Sequence, residues 1–403
     1  MIFMINPFSI KPRTIFLGGY AVSLLFSSIQ LLPGFSLPFL LASLLFLYKT
    51  YDIIINNHIV KLQYEGTLIA ALYFYLITAE IFFHNASIYN NYFISLGLNC
   101  VMMLILADEF RRDPTARSQV MHTYVSASVV VSILISLGIM TLVPETGRVT
   151  FLGLNQNELA SVLLVAYCGI SVEFIRDNPA PIAAQSIGLF SAIAILNAML
   201  STGTRFTLVA VIAVMLVLAV ALLSDRCKSR RKLIYISINA VFIICKTLGF
   251  SPMYDRLLPS NIGNNLTDLG GRLDLWSDAF DAFRESSLIG LGYNGYKEFV
   301  LARERFFELP HNLFFEILAV SGITGIIILL MVGLFICIRS AASSNRAVRL
   351  EVLIWGIPLF ILLSMINIYH TKIFWLLLAY FITINFSMNS HTQNFRKNSA
   401  VTL

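Results

Sequence analysis

The sequence predicts an all-α protein that crosses a membrane many times. Of its 403 residues, 57% are hydrophobic and only 12% are charged, with a mean hydropathy of +0.78. Apolar stretches long enough to span a bilayer recur along almost the whole chain, and basic residues concentrate in alternate connections between them. Soluble domains do not carry so much apolar sequence, so this composition excludes a soluble globular protein.

Each apolar stretch is predicted to form one transmembrane helix, because about 20 apolar residues span the hydrocarbon layer. We therefore expect about twelve transmembrane helices within one membrane domain that covers residues 1–403. The predicted spans are 14–32, 36–53, 65–83, 90–107, 122–143, 158–175, 180–200, 205–224, 232–250, 312–338, 350–368 and 371–388.

The basic residues predict the orientation of these helices. Connections such as DEFRRDPTARS, SDRCKSRRK and RSAASSNRAVRLE hold most of the 28 Lys and Arg, whereas LLPGFS, HNASIYNN and STGT hold almost none. Because basic loops stay in the cytoplasm, we expect both termini there. The first apolar run lacks a convincing cleavage site and is interpreted as a retained helix.

One long connection, residues 251–311, lies between the ninth and tenth predicted spans, on the side opposite to the basic loops. A loop of this length among short connections is usually functional. Its apolar residues Leu273, Trp276, Ala279, Phe280 and Phe283 recur at helical spacing, which predicts an amphipathic helix that lies on the membrane or against the bundle.

The sequence contains no nucleotide-binding glycine motif, Asp-x-Asp pattern or paired cysteines. We therefore expect no cofactor and no metal. The net charge of +6 is explained by loop orientation in a membrane protein, so it does not predict a nucleic acid partner.

Three cationic or ionisable residues are predicted at the outer boundary of the membrane, where an unpaired charge is costly: Arg205, Arg272 and His311. Arg205 follows STGT at a helix start, a position that suits a phosphate, or it extends to the membrane interface. Arg272 either binds a second anionic group or pairs with Asp268 or Asp274. His311 either takes a proton from a hydroxyl group or satisfies the backbone at a helix start.

A fourth stretch, TFLGLNQNELAS, places Asn155, Asn157 and Glu158 at another helix start on the same side. These residues either cap the helix or form hydrogen bonds with a sugar.

The stretches LGLNQNELAS, STGTRFTL, GGRLDLW and PHNLFFEILAVSGITG occur in an order that resembles the O-antigen ligase and polymerase superfamily of bacterial inner membranes. The resemblance covers roughly residues 150–330. The most specific part is His311 and Asn312, followed after nine residues by Gly322 and then by Gly325, which is similar to the histidine motif of O-antigen ligases.

This resemblance implies a membrane glycosyltransferase of the C type that works without metal or nucleotide on the periplasmic face. It implies a donor polysaccharide on undecaprenyl diphosphate and, for a ligase, a sugar hydroxyl of lipid A-core as acceptor. Arg205 and Arg272 would bind the diphosphate, and His311 would activate the acceptor hydroxyl. Further substrate contacts are implied for Asn155, Asn157, Asn312 and Trp276. Expected partners are the bilayer and, beside the enzyme, a polymerase and a chain-length regulator.

Two alternatives remain open from the sequence. An O-antigen polymerase shares the donor and differs in acceptor, although the histidine motif favours a ligase. A transporter or flippase is also compatible with twelve helices, but the boundary charges cluster on one face rather than at the midplane. Some ligases carry an acidic residue in the last periplasmic connection, where this chain has Asn367, His370 and Lys372.

Overall fold

A computed structural model describes residues 12–32, 35–57, 60, 64–84, 91–143, 148–175, 181–223, 230–249, 272–343, 346–365 and 371–384. These residues form mainly α-helices. The helices are α1 (Pro12–Ser23), α2 (Leu37–Ile55), α3 (Tyr64–His84), α4 (Asn91–Arg112), α5 (Pro114–Ser136), α6 (Gln156–Ile175), α7 (Ile182–Ser201), α8 (Arg205–Leu223), α9 (Arg230–Gly249), α10 (Arg272–Glu285), α11 (Gly292–Leu301), α12 (Leu313–Ala341), α13 (Arg346–Met365) and α14 (Lys372–Thr383).

The predicted all-α membrane class is confirmed, and every predicted span overlaps a helix among α1–α9 and α12–α14. Eight described helices are long and apolar enough to cross a membrane: α2, α4, α5, α6, α7, α8, α12 and α13. Helices α1 and α14 are apolar but shorter, and α9 begins with three basic residues. Length and composition alone therefore do not establish the predicted count of twelve.

Helix α6 occupies the centre of the bundle. It packs against α5, α7, α8 and α13, and 89% of an 18-residue apolar stretch of this helix is buried. The sequence explains this position, because α6 is apolar on all sides rather than along one stripe.

A cluster of ion pairs, most of them buried, joins the helices at one end of the bundle. The Nζ atom of Lys49 lies 2.6 Å from Oδ2 of Asp108 and 2.6 Å from Oε1 of Glu109. Arg13 adds an ion pair to Asp113 at 3.1 Å. Helix α4 runs from Tyr92, which is bonded to Glu316 in the first turn of α12, to Asp108 and Glu109, so the candidate site lies at the end opposite to these charges.

Two short antiparallel hairpins flank helix starts at this opposite end. Strands β1 (Gln30–Leu32) and β2 (Phe35–Ser36) precede α2, and β3 (Thr141–Val143) and β4 (Arg148–Thr150) precede α6. The two hairpin regions are joined by a hydrogen bond from the Ser28 hydroxyl to the carbonyl of Leu152.

Helices α10 and α11 form a small unit that is fastened to the bundle. The carboxylate of Glu80, fully buried in α3, accepts hydrogen bonds from the backbone N–H groups of Tyr293 (2.7 Å) and Asn294 (3.1 Å). It thereby satisfies donors in the first turn of α11, as a capping residue would. Within the unit, Arg305 contacts both oxygens of buried Asp278 at 2.9 Å.

Helix α12 is broken at Gly322, whose φ of 60° and ψ of −157° are not helical. The connection between α10 and α11 enters this break. The N–H of Leu291 donates to the carbonyl of Ala319, and the N–H of Ile323 donates to the carbonyl of Ser287, both at 2.9 Å. Backbone groups freed by a break in a membrane helix need such partners, because lipid offers none.

The predicted amphipathic helix of the long loop corresponds to α10, and the apolar residues at helical spacing are divided between its buried and its exposed side. The buried residues are Asp278, Ala279 and Ala282, whereas Leu273 and Phe280 are each 41% exposed. Small residues allow α10 to approach α12 closely, and Arg305 compensates the buried charge of Asp278. The first part of the loop, residues 251–271, lies outside the described residues.

Candidate active site at the start of helix α12

Trp276 fixes the segment that leads into α12. Its indole Nε1–H donates to the carbonyl of Pro310 at 3.0 Å, and its ring stacks on Phe315 with centroids 5.1 Å apart. The tryptophan therefore holds the residue before His311 and the first turn of α12 at the same time. The contact of Trp276 with a sugar stays a prediction.

His311 follows this anchored proline with an unusual backbone conformation. Its φ of 50° lies in the left-handed region, which few residues other than glycine adopt. Such a conformation costs about 1–3 kcal/mol and persists when surrounding contacts enforce it, most often at functional sites. The Nε2 atom of the imidazole lies 2.7 Å from Oε1 of Glu308, and the side chain remains 32% exposed.

Asn312 caps α12. Its Oδ1 accepts hydrogen bonds from the backbone N–H groups of Phe314 (2.9 Å) and Phe315 (3.4 Å). Since the cap is supplied by Asn312, the imidazole of His311 is not needed for it. The asparagine of the histidine motif thus orients the helix start from which His311 projects.

Arg272 opens α10 close to the same carboxylate. Burial lowers the pKa of its guanidinium, and the negative charge of Glu308 acts in the opposite direction and raises it. The guanidinium remains charged despite its burial, because arginine does not lose its proton in proteins. Glu308 therefore contacts His311 directly and acts on Arg272 through its charge, although Arg272 and His311 lie 39 positions apart in the sequence. The alternative partner Asp268 lies outside the described residues.

Arg205 lies at a different helix start. It is the first residue of α8, it is half-buried, and its Nε atom is buried without a hydrogen-bond partner. Nearby, Arg148 of β4 donates from Nε to the carbonyl of Thr202 at 2.7 Å and packs against Gly203, which has a φ of 65°. This turn thus combines two guanidinium groups with the start of a helix, an arrangement that favours an anion.

The Asn155 side chain caps α6. Its Oδ1 accepts from the N–H of Glu158 at 2.9 Å, and the Glu158 carboxylate lies 3.4 Å from the N–H of Asn155, which is a reciprocal capping arrangement. Asn157 is half-buried in the first turn, where its carbonyl accepts from Ser161. Lys372 interacts electrostatically with Glu158 and donates to Ser36 at 2.8 Å, whereas Asn367 and His370 lie outside the described residues.

A large apolar cavity opens beside the start of α12. Its volume is about 360 Å³ and it is bounded by α3, α4, α12, α13 and α14. Leu313 and Phe314, the residues that follow the cap, line it together with Phe374 and Trp375 of α14. Polar groups in its wall include the hydroxyls of Tyr73 and Tyr92 and the carboxylate of Glu316. The cavity has the dimensions of a ligand pocket and the surface of a lipid-binding one.

The sequence interpretation did not single out several of these residues. Glu308 lies three positions before His311 and could have been identified as a candidate partner from the stretch ELPHN alone. Glu316, Tyr92, Glu80 and Arg148 offered no comparable signal, because their roles depend on helices that are distant in the sequence.

The comparison with protein families matches a segment that contains most of the candidate site. Residues 190–330 match the family model described as O-antigen ligase. The matched segment contains Arg205, Arg272, Trp276 and His311, and it ends just after the broken part of α12. No curated protein matches the chain.

This match supports a function of the O-antigen ligase or polymerase type in general, which is that of a glycosyl-transferring membrane enzyme. The helices and the family agree that the chain is a membrane protein. Residues 190–330 of this chain are therefore similar to the O-antigen ligase family.

Proposed function

We propose that the protein is an O-antigen ligase, which transfers a polysaccharide from undecaprenyl diphosphate to a sugar hydroxyl of lipid A-core. The observation that carries this proposal is the contact of His311 with Glu308, whose charge also acts on Arg272, directly before the residues Leu313 and Phe314 that line an apolar cavity. A substrate of this kind has an apolar chain, an anionic diphosphate and a sugar, and these three parts correspond to the cavity, the guanidinium and the imidazole.

The apolar chain of the donor would occupy the cavity of about 360 Å³. Its wall consists almost entirely of aliphatic and aromatic side chains from five helices, and removal of a polyprenyl chain from water into such a space is favourable. The diphosphate would then lie near Arg272 at the polar boundary. Arg205 would bind it from the second helix start, where its buried Nε atom lacks a partner.

In the proposed reaction, the oxygen of the acceptor hydroxyl forms a bond to the anomeric carbon of the donor sugar. The bond from that carbon to the phosphate oxygen breaks, and the hydroxyl proton moves to His311. Because Glu308 contacts Nε2, the other ring nitrogen, Nδ1, would receive the proton. The carboxylate would stabilise the resulting imidazolium, and the guanidinium groups would stabilise the negative charge on the departing undecaprenyl diphosphate.

We place the reaction on the periplasmic face of a bacterial inner membrane, with both termini in the cytoplasm. The distribution of basic loops supports this orientation, as does the position of the buried Lys49 cluster at the end opposite to His311. We further propose that the chain acts as one membrane domain, since the loop unit of α10 and α11 is fastened to α3 and α12.

The deciding experiment examines lipopolysaccharide and lipid-linked sugars from cells that lack this gene. A bare lipid A-core together with accumulated lipid-linked polymer is the result expected for a ligase. A core that carries one repeat unit would instead identify a polymerase, which shares the donor and the fold. An unchanged lipopolysaccharide ladder would overturn both assignments and favour a transporter.

A further inference from the structure

A buried carboxylate in the cavity wall has no part in the mechanism described so far. Glu316 belongs to α12, is 2% exposed, and follows the cap residue by one turn, with its N–H bonded to the carbonyl of Asn312 at 2.9 Å. It lines the cavity next to Leu313 and Phe314. The carboxylate therefore lies where the apolar cavity meets the segment that presents His311.

The hydrogen bonding of Glu316 is incomplete. Oε1 accepts from the hydroxyl of Tyr92 at 2.9 Å, but Oε2 is buried and has no hydrogen-bond partner. Within the described part of the chain, Glu316 forms no ion pair with a basic side chain. Tyr92 is itself fixed, because its ring stacks on Tyr293 of α11 with centroids 4.3 Å apart.

A buried acceptor without a partner is costly, so proteins retain one mainly where a ligand or a water molecule completes it. An ionised carboxylate only accepts hydrogen bonds, so the group that completes the ionised Glu316 is a hydrogen-bond donor. A phosphate fails this requirement, because it is itself an acceptor of the same charge. A sugar hydroxyl meets it, and a sugar is the part of a glycolipid that adjoins both the apolar chain and the reacting carbon.

We propose that Glu316, held by Tyr92, binds a sugar hydroxyl of a glycolipid substrate and so selects sugar-bearing lipids over bare polyprenyl diphosphate. This inference rests on the proposed function, since it assumes glycolipid substrates. It assigns Glu316 a specificity role at the cavity, distinct from proton transfer by His311. The hydroxyl belongs either to the donor sugar or to the acceptor sugar, and separate probes distinguish the two.

The test measures binding to the full-length protein in lipid nanodiscs by the fluorescence of its tryptophans, of which Trp375 lines the cavity. The probes are undecaprenyl diphosphate, the same lipid with one attached sugar, and a lipid A-core glycolipid. We expect Glu316→Leu to weaken binding of one sugar-bearing probe about tenfold, as expected for loss of one charge-assisted hydrogen bond. Binding of bare undecaprenyl diphosphate should not change.

Two further variants separate binding from folding. Glu316→Gln keeps a carbonyl acceptor and should recover most of the lost affinity. Glu351→Gln is the matched control: Glu351 is also a buried helix carboxylate beside a tyrosine, Tyr380, but it does not line the cavity. It should bind all probes like the unaltered chain. The melting temperature of Glu316→Leu should not fall, because the variant removes an unpaired buried acceptor.

Equal affinity of Glu316→Leu and the unaltered chain for both sugar-bearing probes would overturn the inference and leave the proposed function intact. An equal loss for all three probes would also overturn it, since that would indicate damage to the cavity. If the unaltered chain binds neither glycolipid, the proposed function fails and this inference fails with it.

Discussion

His311 and Glu308 form a contact of 2.7 Å between Nε2 and Oε1, three residues apart in the segment that precedes α12. The contact is formed in a segment where His311 has a left-handed backbone, with a φ of 50°, and where Trp276 anchors Pro310. A carboxylate in this position fixes the orientation of the imidazole and directs Nδ1 away from the pair.

The first prediction concerns the imidazole itself. His311→Ala should lower sugar transfer by about 10²–10⁴-fold, the usual contribution of a positioned general base. The folded protein should remain, because the side chain is 32% exposed and contributes little to the core. Transfer is measured with purified protein and lipid-linked donor, and the melting temperature is measured in parallel. Normal transfer by this variant would remove His311 from the mechanism.

The second prediction concerns the partner. Glu308→Gln preserves the size of the side chain but removes the charge that would stabilise the imidazolium, so transfer should fall about tenfold, in line with one charge-assisted hydrogen bond. The loss should appear in kcat rather than in KM for the donor. The double variant with His311→Ala should be no slower than His311→Ala alone, since the carboxylate acts through the imidazole. Additive losses would contradict this coupling.

The third prediction concerns the diphosphate. Arg272→Lys keeps the charge but loses the planar fork that binds phosphate oxygens in pairs, so KM for the donor should rise about tenfold. Arg284→Lys is the control on the same helix, because Arg284 is 68% exposed and pairs with Asp281 at the surface. The control should transfer sugar normally. Equal effects of the two substitutions would show that α10 contributes only general positive charge.

Local patterns in the sequence were sufficient to predict the helices. Each predicted span depended on an apolar run, and each run overlaps a helix, because a membrane requires internally bonded backbone. The position of His311 at the start of α12 was likewise readable, since a charged loop there meets an apolar segment.

Features that depend on contacts between distant segments could not be predicted. The insertion of residues 287–291 into the break at Gly322 requires the partner backbone, and the burial of Asp278 requires Arg305. For the same reason the sequence did not predict which apolar residues of α10 face the bundle: Ala279 is buried, whereas Leu273 and Phe280 are each 41% exposed. Arg205 and Arg272 begin α8 and α10, as the sequence indicated, and their joint binding of one diphosphate stays a prediction.

The fourth prediction concerns the tryptophan that anchors the site. Trp276→Phe should retain stacking on Phe315 but lose the hydrogen bond to Pro310, at a cost of about 1 kcal/mol. Because this bond holds the residue before His311, transfer should fall several-fold while the melting temperature changes little. Sugar transfer and the melting temperature are measured on the same preparation of the variant and compared with those of the unaltered chain. Unaltered transfer would mean that the backbone at His311 is held without the indole N–H.

The last prediction concerns the glycine of the histidine motif, Gly322. A Cβ atom there would lie 2.7 Å from backbone atoms of Ser287 and Leu288, and its φ of 60° disfavours any other residue. The atoms in the way belong to the backbone, so they cannot move aside as a flexible side chain would. Gly322→Ala should therefore expel the connection between α10 and α11 from the break and destabilise the protein by about 3 kcal/mol.

Gly19→Ala is the matched control, because Gly19 lies in α1 and a Cβ atom there has no neighbour within 4 Å. Thermal unfolding should distinguish the two variants, with a clear loss for Gly322→Ala and none for Gly19→Ala. Limited proteolysis should also cut the Gly322→Ala variant more rapidly between α10 and α11, since that connection would lose its hydrogen bonds to Ala319 and Ile323. If Gly322→Ala is as stable as the control, the connection does not depend on the break, and the glycine in the motif needs another explanation.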